Sequence, residues 1–287
     1  MRIGFSLPIN YITGKLACEL STLWAGVYES VDECLRIFKG LGVTSVEISK
    51  ISKETSPSQL NHAVEIVGDM GLGITIHGWL PEIGLQPDVP LGIQELEKTL
   101  IRHEPQSRIP FTVHSRSYNH CIGATENEIT KQTIQDLNLL LETLAPKSVL
   151  AAALELCRYK ERRSVGVTFE DVLSIVEQVS AGNLGICWDM GHSQANYLAQ
   201  KDVRLPSEKF VKQVIHTHIH GVGSNGRTHW PVLTDQGYVR DCVDILKSSG
   251  YAGIYNIELS LLRWELSPKE CRSHIEASIN SIARMLS

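Results

Sequence analysis

The chain has 287 residues, 43% of them apolar, enough to bury the core of one large domain spanning residues 1–287. A formal charge of −5 and an isoelectric point near 6.1 provide no basic field for steering nucleic acid, which argues against it as a partner. No apolar run approaches the ~20 residues that span a bilayer, and seven cysteines (18, 34, 121, 157, 187, 242 and 271) with no CxxC spacing suit the reducing cytosol, so a soluble, cytoplasmic protein without a membrane partner is expected.

In chain order, short apolar runs alternate with amphipathic stretches. Strands are expected at Ile3–Ser6, Thr44–Ile48, Ile74–His77, Pro110–His114, Val149–Glu155, Leu184–Asp189, Val214–His218 and Ile254–Glu258. Helical periodicity falls between them at Glu29–Leu41, Pro57–Met70, Gln94–Arg102, Glu126–Leu144, Phe169–Val179, Tyr238–Ser248 and Pro268–Leu286, with a less regular helix placed within Ser193–Lys212. Thr125, Thr168 and Ser267 are expected N-caps, and Gly42, Gly71 and Gly250 suit helix C-termini. Eight strand and helix units predict a (β/α)₈ barrel, in which active sites gather at the carboxyl ends of the strands. The long segments Leu7–Tyr28, Gly78–Ile93 and Gly221–Gly237 follow strands and so are expected over that face as lids and substrate walls.

Four of the apolar runs, VLAAALE, LGICWD, VIHTH and IYNIE, close on Glu155, Asp189, His218 and Glu258, separated by 34, 29 and 40 residues, about one unit each. Barrel closure would bring the four to one mouth. Three carboxylates and an imidazole at buried strand ends need a cation to offset their repulsion and desolvation, so the set reads as a metal site. Mixed carboxylate and imidazole ligands suit Mn²⁺, Zn²⁺, Co²⁺, Fe²⁺ or Mg²⁺. His77 and His114 end strands three and four, and His192 follows Asp189 in DMGH. Alternation puts His216, His218 and His220 on one side of a strand. Of these, His218 is the expected ligand, His216 lies a layer deeper, and His220 either supports a ligand or faces substrate.

The motifs ALE, WDMGH, HTHIH and IYNIE resemble the xylose isomerase-like TIM-barrel superfamily over nearly the whole chain. That superfamily holds sugar isomerases, epimerases and endonuclease IV. The resemblance to its ketose 3-epimerases implies one divalent ion on Glu155, Asp189, His218 and Glu258, with Glu155 and Glu258 also removing and returning a proton. The implied reaction is isomerisation or epimerisation of a small polyhydroxy carbonyl compound through an enediolate held by the ion.

Endonuclease IV binds three zinc ions through positions matching His77, His114, Glu155, Asp189, His192, His218 and Glu258, plus an Asp-x-His pair that falls here on Arg227-Thr228-His229. Arginine cannot ligate zinc, so the resemblance implies a lost third position and leaves the phosphodiesterase as the rival reading. In the epimerases an arginine of this loop grips substrate beside the histidine matching His192, the role expected of Arg227. His77 and His114 are expected either to hold a second ion with Glu155 as bridge or to orient substrate hydroxyls. Arg158 is read as a phosphate or hydroxyl ligand or a rim ion pair, Trp79 as an apolar wall for a sugar ring or a packing residue, and Glu47 as a hydroxyl ligand or the partner of a neighbouring cation. Dehydratases share this barrel and form a further alternative, as does a barrel that only binds a sugar or metal. Relatives that are dimers or tetramers leave room for a homo-oligomer.

Overall fold

A computed structural model describes residues 1–16, 18–52, 54–78, 89–103, 108–119, 121–144, 148–161, 165–233 and 237–287, without the side chains of 89–95 and 263. Trp79 therefore lies outside the described residues. Eight strands close a barrel in sequence order, every neighbouring pair parallel: β1 (Arg2–Pro8), β2 (Val43–Ser49), β3 (Gly73–His77), β4 (Ile109–Val113), β5 (Leu150–Glu155), β6 (Leu184–Asp189), β7 (Val214–Ile219) and β8 (Ile254–Ile257). All eight overlap the runs expected from hydrophobicity.

Strand alternation separates two chemistries. One parity carries Phe5, Leu7, Val46, Ile48, Ile74, Ile76, Phe111, Val113, Leu154, Ile186, Trp188, Tyr255 and Ile257, all buried, and this set forms the greasy layer between sheet and helices. The other parity carries Ser6, Ser45, Glu47, Thr75, His77, Thr112, Glu155, Asp189, His216, His218 and Asn256, equally buried but polar. The barrel lumen is therefore a polar column rather than stacked layers of aliphatic side chains, with the Ser45, Thr75 and Thr112 hydroxyls lacking a hydrogen-bond partner. A polar lumen is costly unless its groups are paired, which is the first structural sign that it serves the mouth above it.

The helices are α1 (Ile9–Ile12), α2 (Glu19–Val27), α3 (Val31–Gly40), α4 (Pro57–Asp69), α5 (Val89–His103), α6 (Glu126–Thr143), α7 (Phe169–Val179), α8 (Met190–Leu198), α9 (Glu208–Lys212), α10 (Gly237–Ser248) and α11 (Pro268–Leu286). Reciprocal capping boxes start α6 at Thr125 with Glu128, α7 at Thr168 with Asp171 and α11 at Ser267 with Glu270. Each cap contributes about 1 kcal/mol by satisfying N–H groups that the helix itself cannot.

Two expectations change in detail. The segment after β1 carries α1 and α2, the latter burying Leu20, Ser21, Trp24 and Val27, and Trp24 packs edge-on against Phe5. The irregular region after Asp189 is two helices, with Pro206 in the intervening segment, and α8 starts directly at the end of β6. Among the described residues no helix is long and apolar enough to cross a membrane.

Candidate active site

Parallel register builds the site before any side chain is considered. It sets Asp189 of β6 beside His218 of β7, His218 beside Asn256 of β8, and Glu155 of β5 beside Cys187 of β6. Glu258 follows β8 by one residue, its N–H donating to Ile219 O at 3.0 Å, so the strand end holds it in place. All four expected ligands are buried.

They converge on one imidazole nitrogen. His218 Nδ1 stands 3.2 Å from Glu258 Oε2, 3.5 Å from Glu155 Oε2 and 3.9 Å from Asp189 Oδ2. Atoms that share an ion at about 2.1 Å stand about 3.0–3.5 Å apart, so these separations are close to those of ligand edges. The donor set fits a divalent cation on a second ground too. His218 Nδ1 and Glu258 Oε2 are buried, yet neither completes a hydrogen bond within the protein.

His77 and His114 approach the same Glu155 oxygen, at 3.2 and 2.7 Å, with their Nε2 atoms 3.3 Å apart. They offer a second ligand set that shares Glu155 with the first. His192 Nδ1 lies 3.0 Å from Asp189 Oδ2 and 3.2 Å from Glu155 Oε1. Asp189 also caps α8, accepting from the His192 N–H at 2.7 Å, so one carboxylate fixes both the strand end and the helix start.

Beneath this cluster sits Glu47, fully buried. Its Oε1 accepts from Ser6 Oγ at 2.5 Å and Asn256 Nδ2 at 3.1 Å, and its Oε2 accepts from the Nε2 atoms of His216 and His218 at 2.9 and 3.0 Å. A histidine that donates one ring N–H to a carboxylate presents its other nitrogen as a lone pair, the arrangement that orients metal-binding imidazoles.

The electrostatics follow from this geometry. Burial opposes charge on every one of these groups, but the imidazoles facing them hold the Glu47 and Glu155 carboxyls well below their ordinary range. Burial also pushes imidazoles down, yet Glu155 and Glu47 raise His77 to about 9, and Cys187, Glu47 and Glu258 raise His218 well above its ordinary value. His216 goes the other way, because burial and the nearby His218 and His77 outweigh Glu47. Burial pushes the Cys187 thiol up to about 12, which keeps it protonated. The carboxylates thus keep their charge beside positive charge, which the imidazoles supply here and a divalent cation would supply in their place.

Above the cluster opens a cavity of about 190 Å³, floored by His77, His114, Glu155, His192, His229 and Glu258 and walled in part by Lys50, Arg158 and Lys160. It is smaller than the ~300 Å³ at which drug-sized ligand pockets begin, and suits a compact polar molecule.

The structure places three of the candidate residues away from the cavity lining. Glu47 does not line the cavity, since its acceptors are engaged beneath His218, so it partners imidazoles rather than a substrate hydroxyl. His220 is likewise fully buried: its Nδ1 accepts from the His229 N–H at 2.9 Å and its Nε2 donates to Asp189 at 3.0 Å, which makes it a support for the carboxylate rather than a substrate contact. Arg227 lies outside the cavity lining, with its half-exposed guanidinium 3.8 Å from Glu265, because the turn from Gly223 to Arg227 directs Thr228 and His229 into the wall instead. Arg158 does line the cavity. Sequence reasoning passed over Lys50, Lys160, Cys157 and Thr228, all of which line it too. Lys50 carried the same signal as the ligands, a polar residue just past the carboxyl end of an apolar run.

The His220 clamp depends on Gly191, where an added Cβ would overlap the imidazole ring. Because His220 is held at both nitrogens, Gly191→Ala is expected to cost about 1–3 kcal/mol through overpacking. A thermal melt indistinguishable from that of the parent protein would show that the ring yields freely.

Fold and site together define a (β/α)₈ barrel with a carboxylate and imidazole cluster at its carboxyl-end mouth. The chain belongs to the xylose isomerase-like TIM barrel family, whose model matches residues 35–271. Among solved structures it is similar to the 3-keto-D-glucoside 4-epimerase of E. coli, with a TM-score of 0.61 and 14% identity over 100% of this chain and 99% of that one. It is also similar to a D-allulose 3-epimerase from Methylomonas sp., with a TM-score of 0.62 and 12% identity over 99% and 98%. At such identities the likeness establishes the fold. An uncharacterized protein of Methanocaldococcus jannaschii is 31% identical over 118 residues, which span 38% of this chain and 37% of that relative.

Proposed function

We propose that the chain is a divalent-metal-dependent isomerase or epimerase acting on a small polyhydroxy carbonyl compound, in the cytosol. The observation that carries this reading is the convergence of Glu155, Asp189 and Glu258 oxygens on His218 Nδ1, at 3.2–3.9 Å, beneath a cavity of about 190 Å³. The sugar epimerases among the similar folds support it.

Glu155, Asp189, His218 and Glu258 would hold the ion, and His77 and His114 with a shared Glu155 would suit a second. A divalent ion there would polarise a carbonyl and its neighbouring hydroxyl and so acidify the C–H between them. Glu155 and Glu258 rise from β5 and β8, three strands apart round the barrel, and so reach the cavity from different directions. One takes the proton from carbon. The other returns it, to the opposite face in an epimerisation. His192 braces Glu155 Oε1, and Glu47 fixes the tilt of His218, so neither ligand needs to reorganise as charge moves. His229 and Thr228 close part of the wall against water.

Dialysis of the purified protein against a chelator is expected to lower its turnover of a responsive ketose by at least about 100-fold, with recovery on adding Mn²⁺ or Co²⁺. Full activity in protein shown by elemental analysis to be metal-free would sink the metal-dependent reading.

One observation favours a second reading: His77, His114 and Glu155 group as they would for a two-ion phosphodiesterase. Metal-dependent nicking of duplex DNA at an abasic site, with no sugar turned over, would put that reading in place of the first.

A further inference from the structure

The cavity wall carries three cations that the proposed chemistry does not use. Lys50 follows β2, and Arg158 and Lys160 lie in the loop after β5. They stand against two lining carboxylates, Glu155 and Glu258, in a chain whose overall charge is −5, so positive charge is concentrated where the average predicts the reverse. A divalent cation on the floor would add to it.

The backbone that carries the cations is fixed by built structure, although Lys50 and Lys160 are exposed. Lys50 adopts a left-handed backbone conformation, with φ of 59°, and its Nζ lies 3.8 Å from Glu258 Oε1. Among the described residues, four non-glycine residues have positive φ: Ser180 and Gln200 follow helix ends, where that conformation is routine, whereas Lys50 and His229 both line the cavity. Strain of this kind persists where surrounding structure imposes it, and it marks the mouth.

On the opposite side, the fully buried Asn196 staples the loop. Its Oδ1 accepts from the Tyr159 N–H at 2.7 Å, and its Nδ2 donates to Cys157 O at 3.0 Å and Val167 O at 2.6 Å. The Lys201 ammonium covers the Tyr159 ring at 4.6 Å. Tyr159 is thereby turned away, and its two neighbours, Arg158 and Lys160, both reach the cavity.

We propose that Lys50, Arg158 and Lys160 form a subsite for an anionic oxygen group of the substrate, a phosphate ester or a carboxylate. The inference deepens the isomerase or epimerase reading and rests on it for the chemistry, although the grip itself is measurable without turnover. Binding energy from such a group orients the reacting carbon between the two glutamates and excludes neutral sugars of similar size.

The test is calorimetric titration of Mn²⁺-loaded protein with three small polyols: glycerol 3-phosphate, glycerate and glycerol. At least one of the two anions is expected to bind about ten-fold or more tightly than glycerol, and Lys50→Gln/Arg158→Gln/Lys160→Gln is expected to abolish that preference. The spin-resonance signal of bound Mn²⁺ and the melting temperature control for loss of the ion or of the fold. Preference for glycerol 3-phosphate assigns a phosphoryl group to the substrate, and preference for glycerate a carboxylate. Should glycerol bind as tightly as both anions, or should the triple variant keep the preference with its Mn²⁺ in place, the subsite does not exist. Loss of the preference in a protein that interconverts no sugar supports the anion grip and tells against the epimerase reading alone.

Discussion

Replacing Glu258 by glutamine is expected to lower kcat on a responsive sugar by about three orders of magnitude, with Glu155→Gln doing the same. Glutamine keeps the shape and one carbonyl oxygen but cannot accept a proton from carbon at neutral pH. The rate loss corresponds to about 4 kcal/mol of transition-state stabilisation. Because both residues also belong to the proposed ion-binding set, turnover has to be compared at equal metal content. The decisive readout is exchange of the substrate C–H with deuterated solvent: one surviving glutamate would exchange one epimer while net interconversion stops. Either variant retaining full activity would remove the acid and base assignment.

The second large effect is expected one layer lower, at a residue without access to substrate. Glu47 accepts hydrogen bonds from Ser6, Asn256, His216 and His218 in a fully enclosed position. Glu47→Ala would leave His218 without its buried counter-charge and strand several donors, at a cost of about 3–5 kcal/mol. The melting temperature should fall by roughly 10 °C. Glu47→Gln preserves volume and one acceptor, so it should fold better yet still bind metal about 10–100-fold more weakly, because His218 loses the carboxylate that fixes its tautomer and tilt. Thermal melts and competitive metal titration separate the two effects. If Glu47→Ala melts within a degree or two of the parent protein and binds metal as tightly, the buried carboxylate is not what orders the mouth.

All eight strands were legible as apolar runs because both faces of a barrel strand are enclosed, and their order followed from alternation with amphipathic stretches. The carboxyl-end cluster was legible for a related reason: a charged or polar group that closes a buried run is expensive, and three carboxylates and an imidazole at unit spacing are informative. The helix α2 after β1 was missed, although the spacing of Leu20, Trp24 and Val27 suits one face of a helix.

Sequence by itself determined that Glu155, Asp189, His218 and Glu258 would meet, since closure of a parallel barrel leaves strand ends nowhere else to go. Only the tertiary structure decided what surrounds them. Whether Glu47 faces substrate or imidazoles, whether His220 supports Asp189 or lines the cavity, and whether the cation at the mouth is Arg227 or Lys50 all depend on how loop turns and lumen layers fall. Those are set by contacts such as that between Glu47 and His218, 171 positions apart in sequence, which no local pattern encodes.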